Sequence, residues 1–213
     1  MTALERLLAI SSKALCSTVP SANVFQWLQE ELGDAALQLT RLLTAKNGFF
    51  AFESALLVQP SDDIDVLPGL REWNDLTGWR KSYDCIPPRC VFFAQDLFAC
   101  QFGITPAGLV RLDTETGDVT NYADDLDRWA QRILSNYDYE TGWSLGRNWQ
   151  RLHGPLKHGS RLLGRKPFVL GGSYVVENLV AVDATDAIEK LAELYSQIKD
   201  VPDGSKVTVR NWD

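Results

Sequence analysis

The stretch from Cys90 to Tyr122 constrains the fold more than any other part of the chain. Four short runs rich in aromatic and aliphatic residues follow one another there: Cys90 to Gln95, Phe98 to Ile104, Leu109 to Leu112 and Val119 to Tyr122. They are separated only by Asp96-Leu97, Pro106-Ala107-Gly108 and Asp113 to Asp118. Connections that short cannot carry the chain back along a sheet, as parallel pairing requires, so the runs must form an antiparallel meander. A further apolar segment, Phe49 to Val58, shows no helical stripe and is closed by Pro60. It predicts one buried strand, central to the same sheet.

Helical periodicity surrounds these strands. Leu4, Leu7, Leu8, Ser11 and Leu15 share a face, and Pro20-Ser21 opens a second helix with Val24, Phe25, Leu28 and Leu32 inward. A third starts at Asp34 as its cap, buries Leu39, Leu42 and Leu43, carries Lys46 in its last turn and stops at Asn47-Gly48. Asp124, Asp125 and Asp127 load the first turn of a helix whose apolar face is Leu126, Trp129, Ala130, Ile133 and Leu134. The last helix spans Thr185 to Lys199. Ser61 to Pro88 is acidic and irregular, with one short helix expected from Pro68 through Trp73 and Leu76. Pro167 to Leu170 and Tyr174 to Val182 predict a hairpin around Gly171-Gly172-Ser173, and Pro202-Asp203-Gly204 a turn into a final strand at Lys206 to Arg210. Because strands and helices do not alternate as βαβ units, the expected class is α+β: a single mainly antiparallel sheet with flanking helices. Residues 1–46 form a helical N-terminal extension that packs on a main domain of residues 47–213.

Composition bears on what the fold can do. With 21 basic and 28 acidic residues the net charge is −7, which argues against a general nucleic-acid or anionic-membrane binder and suits a basic partner. No stretch approaches the roughly 20 apolar residues that span a bilayer, and Met1 to Cys16 lacks the pattern of a leader, so the chain reads as cytoplasmic. Cys16, Cys85, Cys90 and Cys100 read as reduced structural thiols, because Cys85-x4-Cys90 does not have zinc-knuckle spacing. His153 and His158 are the two histidines and fall in a Gly/Pro-containing loop, which leaves little room for a histidine triad or metal site. Phe52-Glu53-Ser54-Ala55 lacks the glycines of a nucleophile elbow, and the glycines of Gly164 to Gly172 match no phosphate-binding pattern. Carboxylate pairs such as Glu53 with Asp96, or Asp113 with Glu115, read as solvated turns. No catalytic residue, cofactor or metal is therefore expected. Trp27, Trp73 and Trp129 fall on apolar helix faces. The segment from Thr141 to Val176 has no acid and six bases, Arg147, Arg151, Lys157, Arg161, Arg165 and Lys166, leaving 15 bases against 28 acids elsewhere. It reads as a solvated face, with an RNA contact as the sharper alternative.

Several segments together resemble the SUKH superfamily. They are Asn47-Gly48-Phe49-Phe50-Ala51-Phe52-Glu53-Ser54-Ala55-Leu56, Phe93-Ala94-Gln95-Asp96-Leu97-Phe98 with Gln101-Phe102-Gly103, and Asp113-Thr114-Glu115-Thr116-Gly117. Trp129, His153-Gly154-Pro155-Leu156, Gly159-Ser160-Arg161-Leu162, Pro167 to Tyr174, Glu177-Asn178-Leu179 and Pro202-Asp203-Gly204 continue the series, which covers about residues 40–210. Bacterial members of that superfamily are immunity proteins for polymorphic toxins, and its eukaryotic founder regulates yeast cell-wall synthesis. The resemblance implies an α+β fold without catalytic residues and direct binding of a cognate toxin, often a nuclease or deaminase. The alternatives are a regulatory scaffold of the founder's kind and an RNA-binding module. The expected partner-binding residues are Asp62, Asp63, Asp65, Glu72 and Trp73 in the irregular segment, with Asp113 and Glu115 at a hairpin tip, where acids would meet a basic toxin.

Overall fold

The meander forms, and it gains a hairpin that the sequence reading had joined into one strand. The computed structural model describes residues 1–202, 204–210 and 212. Its main sheet runs β1 (Phe49–Ala51), β2 (Leu56–Val58), β3 (Val91–Gln95), β4 (Gln101–Thr105), β5 (Gly108–Leu112) and β6 (Val119–Ala123), in that spatial order and antiparallel throughout. β7 (Ser160–Gly164) and β8 (Leu179–Asp183) form a separate antiparallel pair. The helices are α1 (Ala3–Ile10), α2 (Ala22–Leu32), α3 (Ala36–Ala45), α4 (Leu70–Trp73), α5 (Leu126–Ser135), α6 (Tyr137–Thr141), α7 (Trp143–His153) and α8 (Ala184–Ile198). The fold is α+β, and none of its helices is long and apolar enough to cross a membrane among the described residues.

The expected central strand over Phe49 to Val58 is thus two strands at the edge of the sheet. Phe52, Glu53 and Ser54 all take left-handed backbone angles, with φ of 52°, 52° and 75°, and turn the chain between β1 and β2. Both arms are buried on both faces, which erases the period-2 signal that would have revealed the turn. The outer edge of β1 is itself covered. Ser12 N–H donates to the Phe50 carbonyl at 2.8 Å, the Ser12 hydroxyl accepts from Phe50 N–H, and Leu15 and Cys16 N–H donate to Gly48 and Asn47. The edge is closed by its own N-terminal segment, a common way to protect exposed strands.

Side chains alternate to the two faces of the sheet. Phe49, Leu56, Val58, Phe93, Phe102 and Ile104 face α1, α2, α3 and α5, forming one apolar cluster with Leu7, Leu28, Leu39 and Trp129. Residues 1–46 therefore share their core with the sheet. Phe50, Leu57, Phe92, Val110 and Leu112 face the irregular segment and α8, against Trp73, Trp79, Tyr83, Ile188 and Tyr195. Gly103 is required between the layers, since a Cβ there would lie 2.6 Å from the Cys90 sulfur and 3.0 Å from the Phe92 ring.

Other expectations are corrected. Asp34 makes no capping bond; a 3₁₀ turn over Gly33–Ala35 leads directly into α3. Lys46 instead ties α3 to the end of α1, its ammonium donating to Leu8 O, Ser11 Oγ and Ser12 O at 2.6–2.9 Å. The stretch before Gly154 is helical, and His153 ends α7 with its ring stacked on Trp149 rather than lying in a loop. Gly142, at φ 74°, separates α6 from α7, where a Cβ would meet Phe98 at 2.5 Å. The hairpin pairs Ser160–Gly164 with Leu179–Asp183, not the segments flanking Gly171. Asn178 closes the intervening loop, accepting from Lys166 N–H and donating to the Lys166 and Ser173 carbonyls. Lys206 to Arg210 is not a strand, and Arg210 pairs its backbone with the Gln197 side chain on α8. Asp203, in the expected turn before it, lies outside the described residues.

Candidate functional site

The acidic segment between β2 and β3 is irregular yet internally bonded throughout its length. The Asn47 side chain donates to the Thr18 carbonyl and the Ser61 hydroxyl and accepts from Ser61 N–H, all at 2.8 Å. Asp62 accepts from the Ser61 hydroxyl, and Asp63 accepts from Gly69 N–H at 2.6 Å. Ile64 and Leu67 bond each other's backbones, leaving Asp65 and Val66 exposed at the turn. Asn74 is buried and fixes the segment to β3, accepting from Phe92 N–H and donating to the Phe92 and Leu70 carbonyls at 2.8 Å. Tyr83 donates to the Thr114 carbonyl at 2.7 Å and stacks on Tyr195. Such satisfied polar networks hold a chain without regular structure in one conformation.

A groove of about 880 Å³ lies between this segment and α2. Asp62, Asp63, Glu72 and Asp75 line it together with Arg71, Arg80, Lys81 and Arg89. The Thr77 N–H and hydroxyl hold the Asp75 carboxyl below its ordinary value. Glu72 and Asp65 are exposed, and their carboxylates make no hydrogen bond or ion pair among the described residues. The structure thus brings three of the expected binding acids, Asp62, Asp63 and Glu72, to one groove, and places Asp65 outside it. Trp73 is different. It is 3% exposed and donates its indole N–H to Gln101 Oε1 at 2.9 Å, while its carbonyl accepts from Trp79, so it anchors the segment to the sheet and offers no surface.

Asp113 and Glu115 line a second cleft of about 610 Å³, beside the turns at 96–100 and 113–118, the α6–α7 junction and the 165–174 loop. Glu115 is 8% exposed, and its two oxygens accept from Phe168 and Val169 N–H at 3.1 and 2.6 Å. Burial pushes its carboxyl above the ordinary range against the pull of those two N–H groups. It therefore docks the 165–174 loop and is not a free acid at a hairpin tip. At the cleft floor Arg111 pairs with the buried Asp96 at 2.8 Å, and Asp96 also accepts from Phe98 and Cys100 N–H. Asp138, Tyr139, Phe98 and Tyr174 complete the cleft. Sequence reasoning passed over all four. The available signal was the crowding of aromatics next to the glycines of the 165–174 loop, a feature common to turns and binding loops.

The basic stretch does not present one face. Arg161 is fully buried, donating to the Ser54 and Ser160 carbonyls, and burial lowers its pKa to about 10. Arg147 lies 4.0 Å from Glu53, and Lys157 3.9 Å from Asp183. His158 packs its ring against Phe50. Among the described residues the four cysteines are unpaired, and no group of three His, Cys, Asp or Glu side chains is placed to hold a metal ion.

No family model matches the chain, and no curated protein matches it significantly. Among solved structures it is similar to the crystal structure of Atu4351 from Agrobacterium tumefaciens, with a TM-score of 0.62 over 89% of this chain and 86% of that one. At 12% identity the likeness establishes a shared fold.

Proposed function

We propose that this chain is a cytoplasmic immunity protein that neutralises a basic toxin, such as a nuclease, by direct contact and without catalysis of its own. The observation that carries the reading is the 880 Å³ groove, where Asp62, Asp63, Glu72 and Asp75 project from a segment whose backbone is already fixed. Arg71, Arg80, Lys81 and Arg89 also line the groove, so its walls carry both signs, and the acids act as fixed points for cationic side chains of the partner, losing little entropy on binding. The resemblance to SUKH immunity proteins points the same way. An inhibitory interface of ordinary size, about 1,200–2,000 Å² in total, extends beyond the groove and takes in neighbouring surface. The RNA-binding alternative has less support, because Arg161 is internal and Arg147 and Lys157 lie beside acids.

The test is a rescue assay. The toxin-like reading frame beside this gene is expressed in a sensitive cell with and without the protein. Survival only in its presence is the expected result; failure to protect against any neighbouring toxin overturns the reading in favour of a regulatory scaffold.

A further inference from the structure

The second cleft combines features that the fold itself does not use. Tyr174 stacks flat on Phe168, with centroids 3.9 Å apart and planes 4° from parallel, and Phe98 meets both rings edge-on. Two rings thereby fix Tyr174, which is nevertheless 63% exposed, and Tyr139 in the same cleft is 72% exposed. Val169 and Val175 add exposed apolar surface beside them. Rigid aromatic rings left in water at a concave site are characteristic of binding surfaces.

Charge selects the occupant. Asp113 Oδ1 accepts from Glu115 and Thr116 N–H, and Asp138 Oδ1 accepts from Ser144 N–H at 2.7 Å. Each carboxylate is thus oriented by the backbone, and its second oxygen has no hydrogen bond or ion pair among the described residues. Arg111, the cation lining the cleft, is engaged by Asp96. We propose that this cleft receives an arginine side chain of the protein partner, its guanidinium lying on the Tyr174 ring and donating to Asp113 and Asp138. A planar cation both stacks on an aromatic face and forks toward a carboxylate, which an ammonium does less well. The identity of the partner rests on the function proposed above; the chemistry of the cleft does not.

The probe is therefore independent of any toxin. The full chain is titrated with N-acetyl-arginine amide and, separately, with its neutral isostere N-acetyl-citrulline amide, following backbone amide shifts by NMR. Saturable shifts at Glu115, Ser144 and Val169 with the arginine probe alone are expected. Tyr174→Ala and Asp138→Asn should each weaken that binding about 2- to 5-fold, whereas Tyr174→Phe should retain it. Equal response to citrulline, shifts elsewhere only, or no shift overturns the proposal. Toxin rescue without probe binding removes the cleft and keeps the immunity reading. Probe binding without rescue does the reverse.

Discussion

The two faces of the main sheet are covered by different kinds of matter. On one face α1, α2, α3 and α5 lay aliphatic side chains and Trp129 against Phe49, Phe93 and Phe102, with dispersion and burial as the cement. On the other, an irregular chain is held by directional bonds: Trp73 to Gln101, Asn74 to Phe92, Tyr83 to Thr114, and Tyr195 to Asp84. The first face tolerates any sequence with the right volume and period. The second demands particular atoms at particular places, and it is also the face from which the acids of the groove project. The two sides of one sheet thus hold their cover by different physical means.

That division makes graded predictions. Trp129→Ala, at a fully buried site, should cost about 3–5 kcal/mol in urea denaturation, by cavity formation in the apolar layer. Asn74→Ala should cost about 2–3 kcal/mol despite the smaller side chain, because it removes the Asn74 amide from the buried Phe92 N–H and carbonyl. A loss below about 0.5 kcal/mol there would erase the distinction between the faces.

Glu115→Gln should be milder, about 1 kcal/mol, since an amide has one acceptor for the two N–H groups of Phe168 and Val169. It should also change the pH dependence. The folded-state pKa of Glu115 is raised, so the native chain binds this proton more tightly than the unfolded chain does. Its contribution to stability is then greatest at low pH and declines as pH rises from about 4.5, the ordinary carboxyl value, through the folded value. Denaturation midpoints measured across that range should show this slope in the native protein and a flatter one in the variant. Smallest in stability are Asp65→Lys and Glu72→Lys, within about 0.5 kcal/mol of the parent. Of the two, Glu72→Lys in the groove wall should lower survival in the rescue assay; full protection with it would move the interface off the groove.

The same contrast explains what was legible beforehand. The meander from Cys90 to Tyr122 and the stripe through Leu126, Trp129 and Ile133 announce themselves by period, because burial there follows chain geometry. The turn at Phe52 to Ser54 does not, since three non-glycine residues take left-handed angles through contacts made by distant parts of the chain. Asp62, Asp63 and Glu72 could be found by charge. Trp73 could be read both as core, from its apolar helix face, and as a binding anchor, and its bond to Gln101 decides for the first; Glu115 could not be recognised as internal, because its burial depends on the backbone of the 165–174 loop. The aromatic cleft likewise unites residues 98, 139 and 174, which no local pattern connects.

The left-handed turn at the β1–β2 hairpin is braced by Arg161 on the Ser54 carbonyl and by Gln150 on the Glu53 carbonyl, donors about a hundred positions later in the chain. During synthesis the hairpin leaves the ribosome long before either brace exists. The turn should therefore stay open in the nascent chain and close only when β7 arrives, making Arg161 the latch on a hairpin formed about a hundred residues earlier in the chain.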